Sequence, residues 1–211
     1  MQLIWVLPVI TAPVDWYVVA REDRRSERWA KPLPMVALIV VALALGAGDT
    51  SAGAWLLAGL ALGLVGDVLL LAESESRFKL GLAAFLVGHL AYVVSFTRVG
   101  LQPAGWAWAA WVVLFCCLVA TRRVVPATFL RGGRGLAFPV ALYTVVIGAM
   151  VIVAFDTGDW RVALGATVFA ASDSILAVDR FVEPRPWARL AVMVTYHLGQ
   201  ALIVVGVLAA S

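Results

Sequence analysis

Apolar stretches close to 20 residues long alternate with short polar or basic breaks along the whole chain. Eight such stretches can be drawn, at about 2–20, 32–48, 53–72, 80–98, 104–120, 136–155, 161–178 and 189–210. Each approaches the roughly 20 residues a helix needs to cross the hydrocarbon core of a bilayer. The runs are too long for barrel strands and lack their two-residue alternation. The pattern therefore predicts an all-α, polytopic membrane protein of eight transmembrane helices, one transmembrane domain over residues 1–211. The first stretch contains Pro8, Pro13 and Asp15 and has no leading Lys or Arg, so it reads as a kinked span rather than a cleavable signal. The longest break, 121–135, contains Gly132, Gly133 and Gly135 and reads as a basic loop.

Composition agrees with lipid as the solvent. The chain is 63% hydrophobic and 14% charged, with a mean hydropathy of +0.97, more apolar surface than a soluble domain of this size can bury. The net charge of +3 carries information only through its placement. Lys and Arg gather in alternate connections, 14 in the odd ones against 2 in the even ones. This split predicts cytoplasmic odd connections and both termini on the non-cytoplasmic side. Charge distributed this way is a topology signal and gives no footprint for a nucleic acid. Cys116 and Cys117 adjoin within an apolar run, which suits neither a disulfide framework nor a zinc motif. The richness in Ala, Val and Arg points to a GC-rich bacterial source and hence to the inner (cell) membrane.

Two phrases stand out against this background. Gly66-Asp67-Val68-Leu69-Leu70 and Ser172-Asp173-Ser174-Ile175-Leu176 each place a carboxylate late in an apolar stretch, 106 positions apart. The chain's two histidines follow in the next stretches, His89 at 22 residues after Asp67 and His197 at 24 after Asp173. Central acids are costly in hydrocarbon, about 2.5 to 3.5 kcal/mol each on insertion scales. Their recurrence predicts a parallel repeat of four helices plus four, with halves of about 1–103 and 104–211, meeting around a buried polar site. Gly59, Gly63 and Gly66, and likewise Gly165, Ala166 and Ala170, form small-residue stripes leading to the two acids. Such stripes also serve packing between chains, so they leave a homo-oligomer open.

Asp67 and Asp173 are the candidates for acid–base chemistry, set against a structural role as polar locks between helices. His89 shares a face with Phe85 and Tyr92, while Tyr196, His197 and Gln200 share one in the last span. Tyr143 lies seven residues into the sixth span. Lys31, just before Pro32 and Pro34, reads either as an interfacial anchor or as a phosphate contact. Two His and two Asp are acceptable zinc ligands, but no close pair such as His-x-x-x-His supports a metal site. The lysines, Lys31 and Lys79, lie at helix mouths, which excludes a retinal linkage, and there is no phosphate-cradling loop or nucleophile elbow. On these residues alone a hydrolase and a proton-coupled transporter or channel compete, with a lipid-binding or structural protein as the third reading.

The ordered series Lys31-Pro32-Leu33-Pro34, Gly66-Asp67-Val68-Leu69-Leu70, Phe85 with Gly88-His89 and Tyr92, Gly165-Ala166 with Phe169 and Ser172-Asp173-Ser174, then Thr195-Tyr196 and Gln200 resembles the YhhN-like lysoplasmalogenase family. The resemblance runs from about residue 31 to 205. It implies an eight-helix membrane hydrolase that splits the vinyl ether of a lysophospholipid, a lysoplasmalogen, to a fatty aldehyde and a glycerophospho-ethanolamine or -choline. No cofactor is expected, and the expected partners are the lysophospholipid substrate and membrane lipids, beside the homo-oligomer left open above. Carried over, Asp67, Asp173 and His89 would be catalytic, and Lys31, Tyr92, Tyr143, Tyr196 and Gln200 would bind substrate. His197 departs from the pattern, which has a second tyrosine after Tyr196.

Overall fold

The computed structural model describes residues 2–72 and 74–210. Nine α-helices are present among the described residues, and no strand. They are α1 (Val6–Ala20), α2 (Arg24–Ala30), α3 (Leu33–Ala44), α4 (Ser51–Leu70), α5 (Glu75–Val99), α6 (Ala109–Thr121), α7 (Val124–Asp156), α8 (Trp160–Phe181) and α9 (Ala188–Ala210). Side-chain oxygens mark several starts. Asp23 accepts from Arg25 N and Ser26 N before α2, Thr50 from Gly53 N before α4, Ser74 from Arg77 N before α5, and Asp159 from Arg161 N before α8. Each satisfies a helix-end donor that would otherwise lack a partner.

Six helical segments are long and apolar enough to cross a membrane: Leu3–Ala20, α4, α5, α7, α8 and α9. All eight expected spans contain a helix, yet α3 and α6 have only 12 and 13 residues. At 1.5 Å per residue they reach about 18 and 20 Å, short of a hydrocarbon core about 30 Å thick. The cause for α3 is local: Pro32 and Pro34 fix its start, and Gly46, at φ +86°, turns the chain out of the helix. The 121–135 break is not a loop. Helix begins again at Val124, departs from helical geometry only at Gly132 and Gly133, and then resumes. Val124 and Thr128 are buried there, so tertiary packing holds as helix a segment whose composition reads as a connection. The first basic connection likewise contains α2.

Two tight hairpins form the centre, α4 with α5 and α8 with α9. In the first, glycine makes room for rings: a Cβ at Gly59 would lie 2.4 Å from Tyr92 Cε1, and one at Gly66 2.5 Å from Phe85 Cε2. In the second, backbone meets backbone, and a Cβ at Gly165 would lie 2.8 Å from Ile203 N and 2.9 Å from Gly199 O. The buried core runs between the hairpins through Leu56, Leu60, Tyr92, Phe96, Phe169, Ile203 and Val207. Leu3, Leu130, Phe138, Phe115 and Val145 are exposed, as lipid contact requires.

Candidate active site

The hairpins cross-connect through their polar residues. Asp67, one turn before the end of α4, is 2% exposed and accepts a hydrogen bond from Tyr196 Oη of α9 at 2.9 Å. Lys31 Nζ stands 4.0 Å from the other Asp67 oxygen. On the opposite hairpin, Asp173 of α8 accepts from Tyr143 Oη of α7 at 2.5 Å, and His89 Nε2 of α5 lies 3.5 Å from the same Oδ2. The sequence pairs each aspartate with the histidine that follows it; the structure does not. His89 faces Asp173 of the other half, and His197 accepts from Trp16 Nε1 at 3.0 Å. Helices adjacent in the chain pack by their small-residue faces, which turns their polar residues toward the other hairpin.

Aromatic rings bridge the two carboxylates. The Phe169 ring lies 5.3 Å from Tyr196 and 4.8 Å from His89, so a contact chain runs from Asp67 to Asp173. Tyr92 donates to Gln200 Oε1 at 2.6 Å one layer deeper. Gly63 leaves space for this layer, since a Cβ there would meet Tyr196 Oη at 3.0 Å and Gln200 Nε2 at 3.7 Å. Asp67, Asp173, His89, Tyr143, Tyr196, Tyr92, Gln200 and Lys31 thus form one cluster, buried except at Asp173 and Tyr143, which are part-buried.

Two adjoining cavities reach it. The first, of about 410 Å³, is an apolar groove between α5, α6, α7 and α8, lined by Leu82, Leu114, Cys117, Ile147 and Ala177, with Asp173 and Tyr143 in its wall. The second, of about 430 Å³, carries Arg24, Glu27, Lys31, Asp179 and Arg189. They share Leu70, Phe78, Leu176 and Arg180 as a common wall. Asp67 lines neither cavity; it is approached through Lys31. Among the described residues no group of three or more His, Cys, Asp or Glu stands close enough to hold a metal ion.

Sequence reasoning passed over three contributors. Glu27 is bound by Arg189 Nη2 at 2.7 Å, which ties α2 to α9 at the basic cavity. Trp16 holds His197, and no signal in the chain distinguishes it from the other tryptophans. Asp15 is wholly buried, and neither of its oxygens has a partner among the described residues. It carries the same signal as Asp67, an acid inside an apolar stretch.

Fold and site together define a helical membrane protein that encloses paired carboxyls, with one apolar and one basic cavity beside them. Residues 26–207 match the YhhN family, and the chain belongs to it. It is 33% identical to mouse lysoplasmalogenase TMEM86B over 97% of this chain and 86% of that protein. Human lysoplasmalogenase TMEM86A is 28% identical over 82% of this chain and 74% of that protein. A lysoplasmalogenase of Mycobacterium tuberculosis (strain CDC 1551 / Oshkosh) is 30% identical over 72% of this chain and 59% of its own length. No solved structure matches the chain.

Proposed function

We propose that this protein hydrolyses the vinyl ether bond of lysoplasmalogens, releasing a fatty aldehyde and glycerophospho-ethanolamine or -choline. The observation that carries the reading is the pair of cavities sharing one wall, apolar beside Asp173 and basic beside Lys31. A single-chain amphiphile fits that arrangement, its tail in the groove and its phosphate among Lys31, Arg24 and Arg189, with the ether bond near the carboxyls. The relatives' names supply the bond to be cleaved.

The difficult step is protonation of the vinyl β-carbon, which leaves an oxocarbenium ion. Water then adds to that ion, and the hemiacetal collapses to aldehyde and alcohol. Asp173 acts as the donor in this proposal. It lines the groove, and Tyr143 and His89 both address its Oδ2, so Oδ1 is left to carry the proton. Asp67, with the Lys31 ammonium 4.0 Å away, would be the carboxylate that supplies negative charge as the cation develops. His89 and Tyr143 orient the donor, while Tyr196 holds Asp67 and Tyr92 with Gln200 backs it one layer deeper. The chain spans the cell membrane as eight crossings in a four-plus-four repeat, both termini outside, with the basic cavity toward the cytoplasmic leaflet. Purified protein in detergent should release aldehyde from lysoplasmenyl-ethanolamine and leave its ester counterpart intact. Gradient-dependent flux in proteoliposomes without aldehyde release would replace the hydrolase with a transporter.

A further inference from the structure

We infer that Asp15, Lys31 and His197 build a water-binding site behind Asp67, and that the water held there is the one the reaction consumes; the second half rests on the hydrolase reading. Three elements meet at this place: α1 brings Asp15 and Trp16, the turn before α3 brings Lys31, and α9 brings His197. Asp15 is 0% and His197 3% exposed. Both Asp15 oxygens and His197 Nε2 have no hydrogen-bond partner among the described residues, nor does the neighbouring Gln200 Nε2. Lys31 lies within electrostatic reach of Asp15, Asp67 and His197, and its ammonium is 4.0 Å from Asp67, too far for a direct hydrogen bond.

The donor and acceptor inventory fits water. Indole Nε1 only donates, so Trp16 makes His197 Nδ1 an acceptor and leaves the proton of the neutral ring on Nε2. A water there accepts from His197 Nε2–H or the Lys31 ammonium and donates to Asp15 and Asp67, within the two to four partners a buried water takes. Each of these buried groups left unpaired would cost about 1 to 3 kcal/mol. An anion fits badly, because two carboxylates flank the single ammonium. In the reaction the water oxygen forms the new bond to the oxocarbenium carbon, and the proton it sheds passes to Asp67. Asp67 returns that proton through the basic cavity while Asp173 reloads, so protons balance over the cycle. Asp15 and His197 act as positioning residues for the nucleophile.

The test uses the full-length protein in detergent and two readouts. Hydroxyl-radical footprinting oxidises buried side chains that touch bound water. Tyr196 and His197, each 3% exposed, should be labelled rapidly in the native protein, and Tyr196 labelling should fall at least five-fold in Asp15→Leu and His197→Phe. Asp15→Asn, which keeps hydrogen-bonding capacity, should retain most labelling and stands in if Asp15→Leu does not fold. Absence of labelling in the native protein overturns the site. In the second readout, methanol competes with water for the oxocarbenium ion and yields a stable mixed acetal. The acetal-to-aldehyde ratio should rise at least five-fold in Asp15→Leu and His197→Phe. An unchanged ratio overturns the role in the reaction while leaving the site standing. No aldehyde from any variant or the native protein refutes the hydrolase reading instead.

Discussion

At the scale of single residues, the two carboxyls differ in what touches them, and that difference is testable. Asp173 faces a tyrosine hydroxyl and an imidazole at one oxygen, Asp67 a hydroxyl and an ammonium at different oxygens. Asp173→Asn removes the proposed proton donor and should lower kcat for aldehyde release by about 10² to 10⁴, the usual contribution of general acid catalysis. Asp67→Asn should also lower kcat, since a neutral amide no longer stabilises the cation. An unchanged elution profile in detergent would separate lost chemistry from lost fold. Full activity in both variants would end the carboxyl mechanism. Tyr143→Phe keeps the ring against His89 and deletes only the bond to Asp173. We expect about a tenfold loss of kcat, equivalent to about 1.4 kcal/mol, with KM little changed. Most of these residues were legible in the sequence because a polar group in an apolar stretch is conspicuous. Their partners were not: His89 meets Asp173 rather than Asp67 because the hairpins cross-connect, and chain order does not encode that. Asp15 is equally conspicuous but stands in a segment interrupted by Pro8 and Pro13, which reads as a kinked span rather than as part of the repeat.

At the scale of helices, apolar length located every long element, whereas boundaries depended on packing. The stretch 121–135 reads as a loop because of its arginines and glycines, yet Val124 and Thr128 are buried and the chain is helical on both sides of Gly132 and Gly133. Gly132 has φ −141° and ψ 16°, and Gly133 φ +58°, so the helix is interrupted only at the Arg122–Arg123 turn between α6 and α7 and at these two glycines, not over fifteen residues. The small-residue stripes were legible as contact surfaces, and the structure shows how differently they are used. At Gly59 and Gly66 a ring occupies the space, and at Gly165 and Gly199 a backbone does. Aromatic side chains can shift by a few tenths of an ångström, but a helix backbone moves only with its whole helix. Gly165→Val should therefore be the more damaging change, since its Cβ would come within 2.9 Å of two α9 backbone atoms. Overpacking of this kind typically costs about 1 to 3 kcal/mol, read as an earlier thermal transition in detergent. Gly105→Ala, with nothing within 4 Å of the added carbon, should leave that transition in place.

At the scale of the whole molecule, the placement of charge and the two cavities make one argument about where substrate enters. The basic cavity is built from Arg24, Lys31 and Arg189, which lie in or beside the first and seventh connections. Both connections belong to the Lys- and Arg-rich set, and that bias sets orientation during insertion. Under the proposed function, a headgroup seated there would face the cytoplasmic leaflet, and its tail would enter the apolar groove sideways between α5, α6, α7 and α8. The groove is formed late in the chain by α6 and α7, which explains why it was not legible beforehand: its lining, Leu114, Cys117, Ile147 and Gly148, is ordinary apolar sequence. Its shape is testable through chain length. Leu114→Trp places a large ring in the groove wall beside Gly148 and should shorten the preferred tail. Each methylene denied burial is worth about 0.8 kcal/mol, so kcat/KM should fall about fourfold per excluded methylene for long tails. Short-tailed substrates should be processed as by the native protein. A uniform loss across all tail lengths would place the tail elsewhere. Orientation needs a separate measurement: in a cysteine-free background, Lys79→Cys should react with a membrane-impermeant maleimide only from the cytoplasmic side, and Gly105→Cys only from the opposite one. The reverse labelling would move the headgroup cavity to the outer leaflet, with the same residues lining the same site.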